Sequence, residues 1–175
     1  MLRLILAFVD IMLHRRGPDS LPSSQFLLWT LLALSIVADC ALLWLAGESA
    51  RAFAVSLLVT GFDLWFVWAV LRTFGRQPRF RQTMTAILGA ELLLAALQAP
   101  LVRPLVEAPP PPDPQSPMVT LTGVLWLAIL VWAIDISAFV FSRALERPYF
   151  LCVAIVIAYF LLMRSLQITL LQPIA

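Results

Sequence analysis

Five long apolar segments constrain the fold of this chain more than any other feature of its sequence. They cover residues 26–46, 52–71, 82–102, 119–141 and 149–171. Each has about twenty residues, and at about 1.5 Å per residue a helix of that length crosses a hydrocarbon layer of roughly 30 Å. The sequence therefore predicts an all-α, polytopic helical membrane bundle with five transmembrane helices.

The overall composition supports the same class of protein. The chain has 175 residues, of which 62% are hydrophobic and 13% are charged, and its mean hydropathy is +0.94. Soluble domains contain about half apolar and about a quarter charged residues. Residues 1–175 are therefore expected to form a single membrane domain.

A shorter apolar segment precedes the first predicted span. A helix over residues 2–15 is only about 20 Å long, which is too short to cross the membrane. Its polar stripe is formed by Arg3, Ala7, Asp10 and His14. Residues 1–16 are therefore predicted to form an amphipathic helix in the interfacial region of the membrane. The HRRGPD sequence that follows is unlike a signal-peptide cleavage site, so this segment is expected to be retained.

The placement of the arginines predicts the orientation of the bundle. The chain has twelve arginines and no lysine, and with the N-terminus inside, nine lie on the cytoplasmic side and two in outer loops. This bias predicts an N-in/C-out topology in a bacterial inner (cytoplasmic) membrane. Seven arginines are expected to contact anionic lipid headgroups of the cytoplasmic leaflet, each contributing about 1 kcal/mol. They are Arg3, Arg15, Arg16, Arg72, Arg76, Arg79 and Arg81.

The longest outer loop covers residues 103–117 and has six prolines after Ala108. This composition predicts an extended, polyproline-like segment. It would serve either as a stiff connector between two helices or as a docking segment for a partner outside the membrane.

Each predicted span carries one ionisable residue in its apolar sequence. These residues are Asp39, Asp63, Glu91, Asp135 and Arg164. Their predicted depths favour an Asp39–Arg164 ion pair and an Asp63–Glu91 neighbourhood that shares a proton or a polar partner. Asp135 lies nearer the cytoplasmic side and is expected to reach Arg143 or interfacial water.

Two interpretations of these residues remain open. Ionisable groups inside a membrane commonly mark pathways for protons or ions. Alternatively, they fix helix rotation by hydrogen bonding to polar side chains on neighbouring helices. We expect the structural role, because no Gly- or Pro-interrupted span marks a substrate site.

No catalytic motif is present. The chain has no G-x-S-x-G, H-E-x-x-H, P-loop or Rossmann sequence, a single His, and no Cys/His cluster. The protein is therefore not expected to be an enzyme or to bind a metal or other cofactor. Because the arginines form no long basic tract, nucleic-acid binding is not expected either.

The order of elements resembles that of the Yip family (Ypt-interacting proteins) and its small bacterial relatives. The resemblance is carried by the short apolar N-terminus, the RRGPDSLPSS sequence at residues 15–24, the five spans and the short C-terminal tail. It implies a non-enzymatic membrane protein. Eukaryotic members bind small GTPases through longer N-termini; such an extension is missing here, so GTPase binding is not expected.

Three functions follow from these observations. The first is a scaffold or accessory factor for membrane organisation or for a membrane complex, with lipids and a membrane-protein partner or a second copy as its contacts. The second is a small proton- or cation-coupled transporter that uses the intramembrane carboxylates. The third is a dedicated subunit of a larger respiratory or transport complex.

Overall fold

The computed structural model describes residues 2–47, 52–106 and 117–171. In these ranges the chain forms six α-helices, two short 3-10 turns and no β-strand. The helices are α1 (Leu2–Met12), α2 (Gln25–Leu45), α3 (Ala52–Thr73), α4 (Phe80–Val106), α5 (Pro117–Leu145) and α6 (Tyr149–Leu171). The predicted all-α bundle is confirmed.

Helices α2 to α6 coincide with the five predicted spans. Each contains a stretch that is long and apolar enough to cross a membrane, and together they make the chain a multi-pass membrane protein. Large apolar side chains remain exposed on these helices, among them Phe26, Trp44 and Phe150. Such side chains suit contact with lipid tails, which solvate apolar groups that water would not.

Helix α4 lies at the centre of the bundle and packs against α1, α2, α3 and α5, while α6 packs against α5 and α3. Eight consecutive residues of α4, 83–90, are buried. A helix that is buried on every face has no need of an amphipathic pattern. This central position gives α4 a different neighbour on each side.

Helix α1 forms within the predicted range, and it also makes a contact with the bundle that the sequence did not predict. Its residues Phe8, Ile11 and Met12 are buried, and the helix packs against α4 and α5. The ring of Phe8 lies directly against Gly89, at a point where a Cβ atom would overlap it. Gly89 is nine residues into α4, or about 13 Å from its start, so α1 lies along the side of the bundle. The hydrophobic sequence of α1 predicted a membrane contact, but this protein contact required knowledge of α4.

The prediction for the proline-rich segment is partly corrected by the structure. Helix α4 continues through Pro100 and Pro104 to Val106, so residues 103–106 are helical and not extended. Neighbouring helices make proline tolerable within membrane helices. Residues 107–116 lie outside the described residues.

Four described helices are followed by a residue with positive φ. Two of these residues are glycines, Gly47 and Gly75, as expected for a left-handed helix end. The other two are His14 and Glu146, with φ of 59° and 54°. A side chain at such a position costs conformational energy, and each of these two side chains bonds to another element.

Glu146 links the end of α5 to the turn before α4. Its carboxylate accepts a hydrogen bond from Arg79 at 2.5 Å and another from Arg76. Arg79 also donates to the carbonyls of Arg143 and Ala144, at 3.1 and 3.2 Å. Those carbonyls belong to the last turn of α5, which has no helical N–H partners left to satisfy it. Arg79 therefore caps α5 from outside the helix.

We expect Gly89→Ala to lower the free energy of unfolding by about 1–3 kcal/mol, because the new methyl group would displace Phe8 from a packed contact. Denaturant titration in detergent micelles measures this change. Gly61→Ala is the matched control, since a Cβ there meets open space, and its stability should be unchanged or higher by up to about 1 kcal/mol. If both variants behave alike, the contact between Phe8 and Gly89 does not hold α1 in place.

Acidification should weaken the link between Glu146 and the two arginines. The hydrogen bond from Arg79 and the charge of Arg76 hold the pKa of Glu146 below its ordinary value of 4.5. A lowered folded-state pKa gives stability that is present above about pH 4.5 and is lost as the pH falls through the folded-state value. We expect wild type to unfold at a higher temperature than Glu146→Gln at pH 7. The two unfolding temperatures should converge as the pH is lowered to 3. A constant difference across this range would contradict the assignment.

Candidate functional site

A cavity of about 240 Å³ lies inside the bundle and is lined by all five long helices. Most of its wall is apolar. Its polar lining residues are Ser35, Asp39, Asp63, Glu91, Gln98, Ser137 and Tyr159. Three of the four predicted intramembrane acids therefore line one cavity.

The helical repeat explains why these side chains converge. On α4 the residues that line the cavity include Ile87, Glu91, Leu94 and Gln98, which are spaced four, three and four residues apart. Residues with this spacing share one face of a helix. Gly89 lies two residues from Glu91, or about 200° around α4, so α1 covers the side of α4 that faces away from the cavity.

Asp63 has a defined partner in the cavity wall. Its side chain is buried, with 8% of the residue exposed, and it accepts a hydrogen bond from the hydroxyl of Tyr159. The Tyr159 ring lies 4.9 Å from the ring of Phe66, centroid to centroid. This contact holds the phenol in place and joins α3 to α6.

The predicted neighbourhood of Asp63 and Glu91 is present, because both line the cavity. The polar partner of Asp63 is Tyr159. The lining contains a third carboxylate, that of Asp39. Among the described residues that form the wall, none is an arginine or a histidine.

Ser35 lies one helical turn before Asp39 on α2 and also lines the cavity. Only 6% of this residue is exposed. Its buried Oγ has no hydrogen-bond partner among the described residues. A buried hydroxyl without a partner costs about 1–3 kcal/mol, so this atom marks a place where a polar ligand or water would be stabilised.

The predicted ion pair between Asp39 and Arg164 is wrong. Arg164 is exposed, and no ion pair among the described residues joins it to Asp39. The cavity is instead lined from α6 by Tyr159 and Met163. One residue further along a helix turns the side chain by about 100°. The apolar sequence of α6 did not show which side of this helix faces the cavity.

Asp135 does not line the cavity, and the structure gives it two protein partners that were not predicted. Its carboxylate accepts a hydrogen bond from the Tyr149 hydroxyl at 2.5 Å and lies 3.2 Å from His14 Nε2. The His14 ring stacks on Phe139 at 4.2 Å. Arg143 was one of the two predicted partners of Asp135. Its guanidinium instead lies over the Phe139 ring, 5.4 Å from the ring centroid.

The arginines predicted to contact lipid have several environments. Arg3, Arg15, Arg72 and Arg81 are exposed, and Arg72 lies over the Trp68 ring at 4.9 Å. Arg16 pairs with Asp10 at 3.1 Å. Arg76 and Arg79 bind Glu146. These last two are therefore engaged within the protein, and the exposed arginines stay available for headgroups.

Five polar side chains of these sites were missed in the sequence. They are Ser35, Gln98, Ser137, Tyr149 and Tyr159. Tyr159 lies mid-span and four residues before Met163, so helical spacing alone would have placed both on one face. For Ser35 the same spacing to Asp39 was the available signal. Tyr149 opens α6, and nothing in the sequence pairs it with Asp135 on α5.

Among the described residues, no three His, Cys, Asp or Glu side chains lie close enough together to hold a metal ion. The carboxylates of the cavity are therefore distributed around its wall.

Comparison of the chain with protein-family models, curated proteins and solved structures finds no match. The resemblance to the Yip family stays a prediction.

The Asp135 group can be tested by double-mutant cycles on the free energy of unfolding. A hydrogen bond to a carboxylate contributes more than a neutral one, so Asp135→Asn and Tyr149→Phe should couple by about 1 kcal/mol or more. Asp135→Asn and Arg143→Gln should couple by less than about 0.5 kcal/mol. If Asp135 instead couples more strongly to Arg143 than to Tyr149, Arg143 is its partner, as the sequence analysis considered.

Proposed function

We propose that this protein is a small membrane carrier that binds protons or cations in its central cavity. The observation that supports this proposal is the presence of Asp39, Asp63 and Glu91 in one cavity that has no basic residue in its described wall. An ionised carboxylate near the middle of a membrane costs about 2.5–3.5 kcal/mol. Three such groups in one space favour the uptake of protons or of a cation.

A purely structural role for the acids predicts that donors on neighbouring helices satisfy the polar groups. Asp63 follows this pattern, since Tyr159 donates to it. Ser35 does not, because its hydroxyl is buried without a partner in the described residues. This hydroxyl can still form a hydrogen bond, which favours the binding of a ligand in the cavity. The scaffold and subunit roles stay predictions, and the experiment below separates them from transport.

A bacterial inner membrane is the proposed location. The proposal is supported by the arginine bias of the sequence and by the grouping of Arg76, Arg79, Arg143 and Glu146 at one end of the bundle. The Yip-like architecture is proposed on the order of the elements alone, without GTPase binding.

Reconstitution into liposomes tests the proposal. A pH-sensitive dye and cation-selective dyes inside the vesicles should report flux of protons or of a monovalent cation when a gradient is applied. Asp63→Asn and Glu91→Gln should reduce this flux to the level of empty liposomes, because each removes an ionisable group from the cavity. Glu146→Gln is the matched control: it removes an exposed carboxylate outside the cavity and should leave the flux unchanged.

The same samples distinguish the other functions. If wild type is folded and carries nothing, while Asp63→Asn lowers only stability, the acids have a structural role and the proposal is wrong. If native purification in addition yields a partner at fixed stoichiometry, the subunit role replaces it.

A further inference from the structure

Building on the proposed function, we infer that the ligand of the central cavity is a small organic ammonium ion. Four features of the wall support this class of ligand: its size, its aromatic residues, the spread of its carboxylates and its unpartnered hydroxyl.

The first feature is size. The cavity encloses about 240 Å³, whereas one water in the liquid occupies about 30 Å³. A pathway that served protons alone would need only a narrow chain of side chains and waters. A ligand with several heavy atoms fills a space of this volume, and the apolar wall would contact its alkyl groups.

The second feature is a group of aromatic side chains. Phe66, Phe141, Tyr159 and Phe160 all line the cavity. The Phe66 ring contacts both Phe141 and Tyr159, with centroids 6.4 and 4.9 Å apart, and Tyr159 lies 5.3 Å from Phe160. Aromatic faces attract alkylammonium ions, which are only weakly hydrated. Aromatic residues beside carboxylates are a common composition for such sites.

The third feature is the distribution of the negative groups. A metal ion needs several ligands within about 2–2.6 Å of one point, and no described group of three acids, histidines or cysteines provides this. Asp39, Asp63 and Glu91 come from three different helices, α2, α3 and α4. Charges around the wall suit a larger cation whose N–H groups, or whose diffuse charge, face several carboxylates.

The fourth feature is Ser35, which is independent of the acids. The residue lines the cavity and is 6% exposed, and its buried hydroxyl has no partner among the described residues. It can accept a hydrogen bond from a ligand N–H or donate to a ligand hydroxyl. Gln98 and Ser137 supply further polar groups to the same wall.

An ammonium group could come from a free amine or from the headgroup of an aminolipid. Both share the same recognition chemistry at the carboxylates. The described wall has no arginine to meet a lipid phosphate, which favours the free ion. The experiment therefore uses soluble ammonium ions and adds phosphatidylethanolamine as a separate competitor.

Binding is measured with the full-length protein in nanodiscs of phosphatidylglycerol, a lipid without an ammonium group. Radiolabelled tetramethylammonium is the probe, with ethylammonium, ethanolamine, Na⁺ and K⁺ as competitors. We expect saturable binding at one site per chain, competition by the organic ions, and none by Na⁺ or K⁺ at equal concentration.

Variants test the geometry. Asp63→Asn and Glu91→Gln should weaken binding by more than about thirtyfold, as expected for removal of one partner of a buried charge pair. Phe66→Leu should weaken it by about two- to thirtyfold. Phe150→Leu, an aromatic residue on the exposed surface, is the matched control and should bind as wild type does. If the acid variants fail to fold, the competition series on wild type still decides the question, because displacement of the probe by Na⁺ or K⁺ as readily as by the organic ions would overturn the inference.

Each outcome has a distinct meaning. Proton or alkali-cation flux without ammonium binding overturns this inference and leaves the proposed function standing. Displacement of the probe by phosphatidylethanolamine at low mole fraction identifies a lipid headgroup and overturns the free-ion assignment. If wild type carries no ion and binds no probe, both proposals are wrong.

Discussion

The burial of α4 on every face is the constraint on which the rest of this structure depends. Residues 83–90 have no exposed member, so α4 needs neighbours all around it. Five long helices cannot enclose one another equally, and lipid covers their remaining surfaces. On one side α4 contributes Glu91 to the cavity, and on the other Gly89 receives α1. The polar cavity and helix α1 thus lie against opposite faces of α4.

Much of the fold could be predicted from the sequence, because insertion into a membrane depends on length and hydropathy. The five spans lie within four residues of their predicted ends, and the largest differences are at the ends of α4 and α5, which continue to Val106 and Leu145. Rotation about each helix axis could not be predicted, since these helices are apolar nearly all round. Arg164 was therefore expected to face Asp39, whereas it is exposed.

The candidate site shows the same division. The acids were visible as charged residues in apolar sequence, and Asp63 and Glu91 were expected to be neighbours. The partners were less predictable, because Tyr159 and Ser35 become meaningful only when five helices are brought together. Asp135 resembles the cavity acids in sequence, yet it bonds to Tyr149 and His14. Residue type alone marked the intramembrane acids as unusual. The tertiary structure was needed to separate the acids of the cavity from Asp135.

The docking of α1 has a consequence for how the protein is assembled. Ribosomes make the chain from its N-terminus, so Phe8 and His14 are synthesised long before their partners Gly89 and Asp135. The segment is too short to become a span by itself. Helix α1 can therefore reach its final place only after α4 and α5, the helices that it packs against, have been made and inserted.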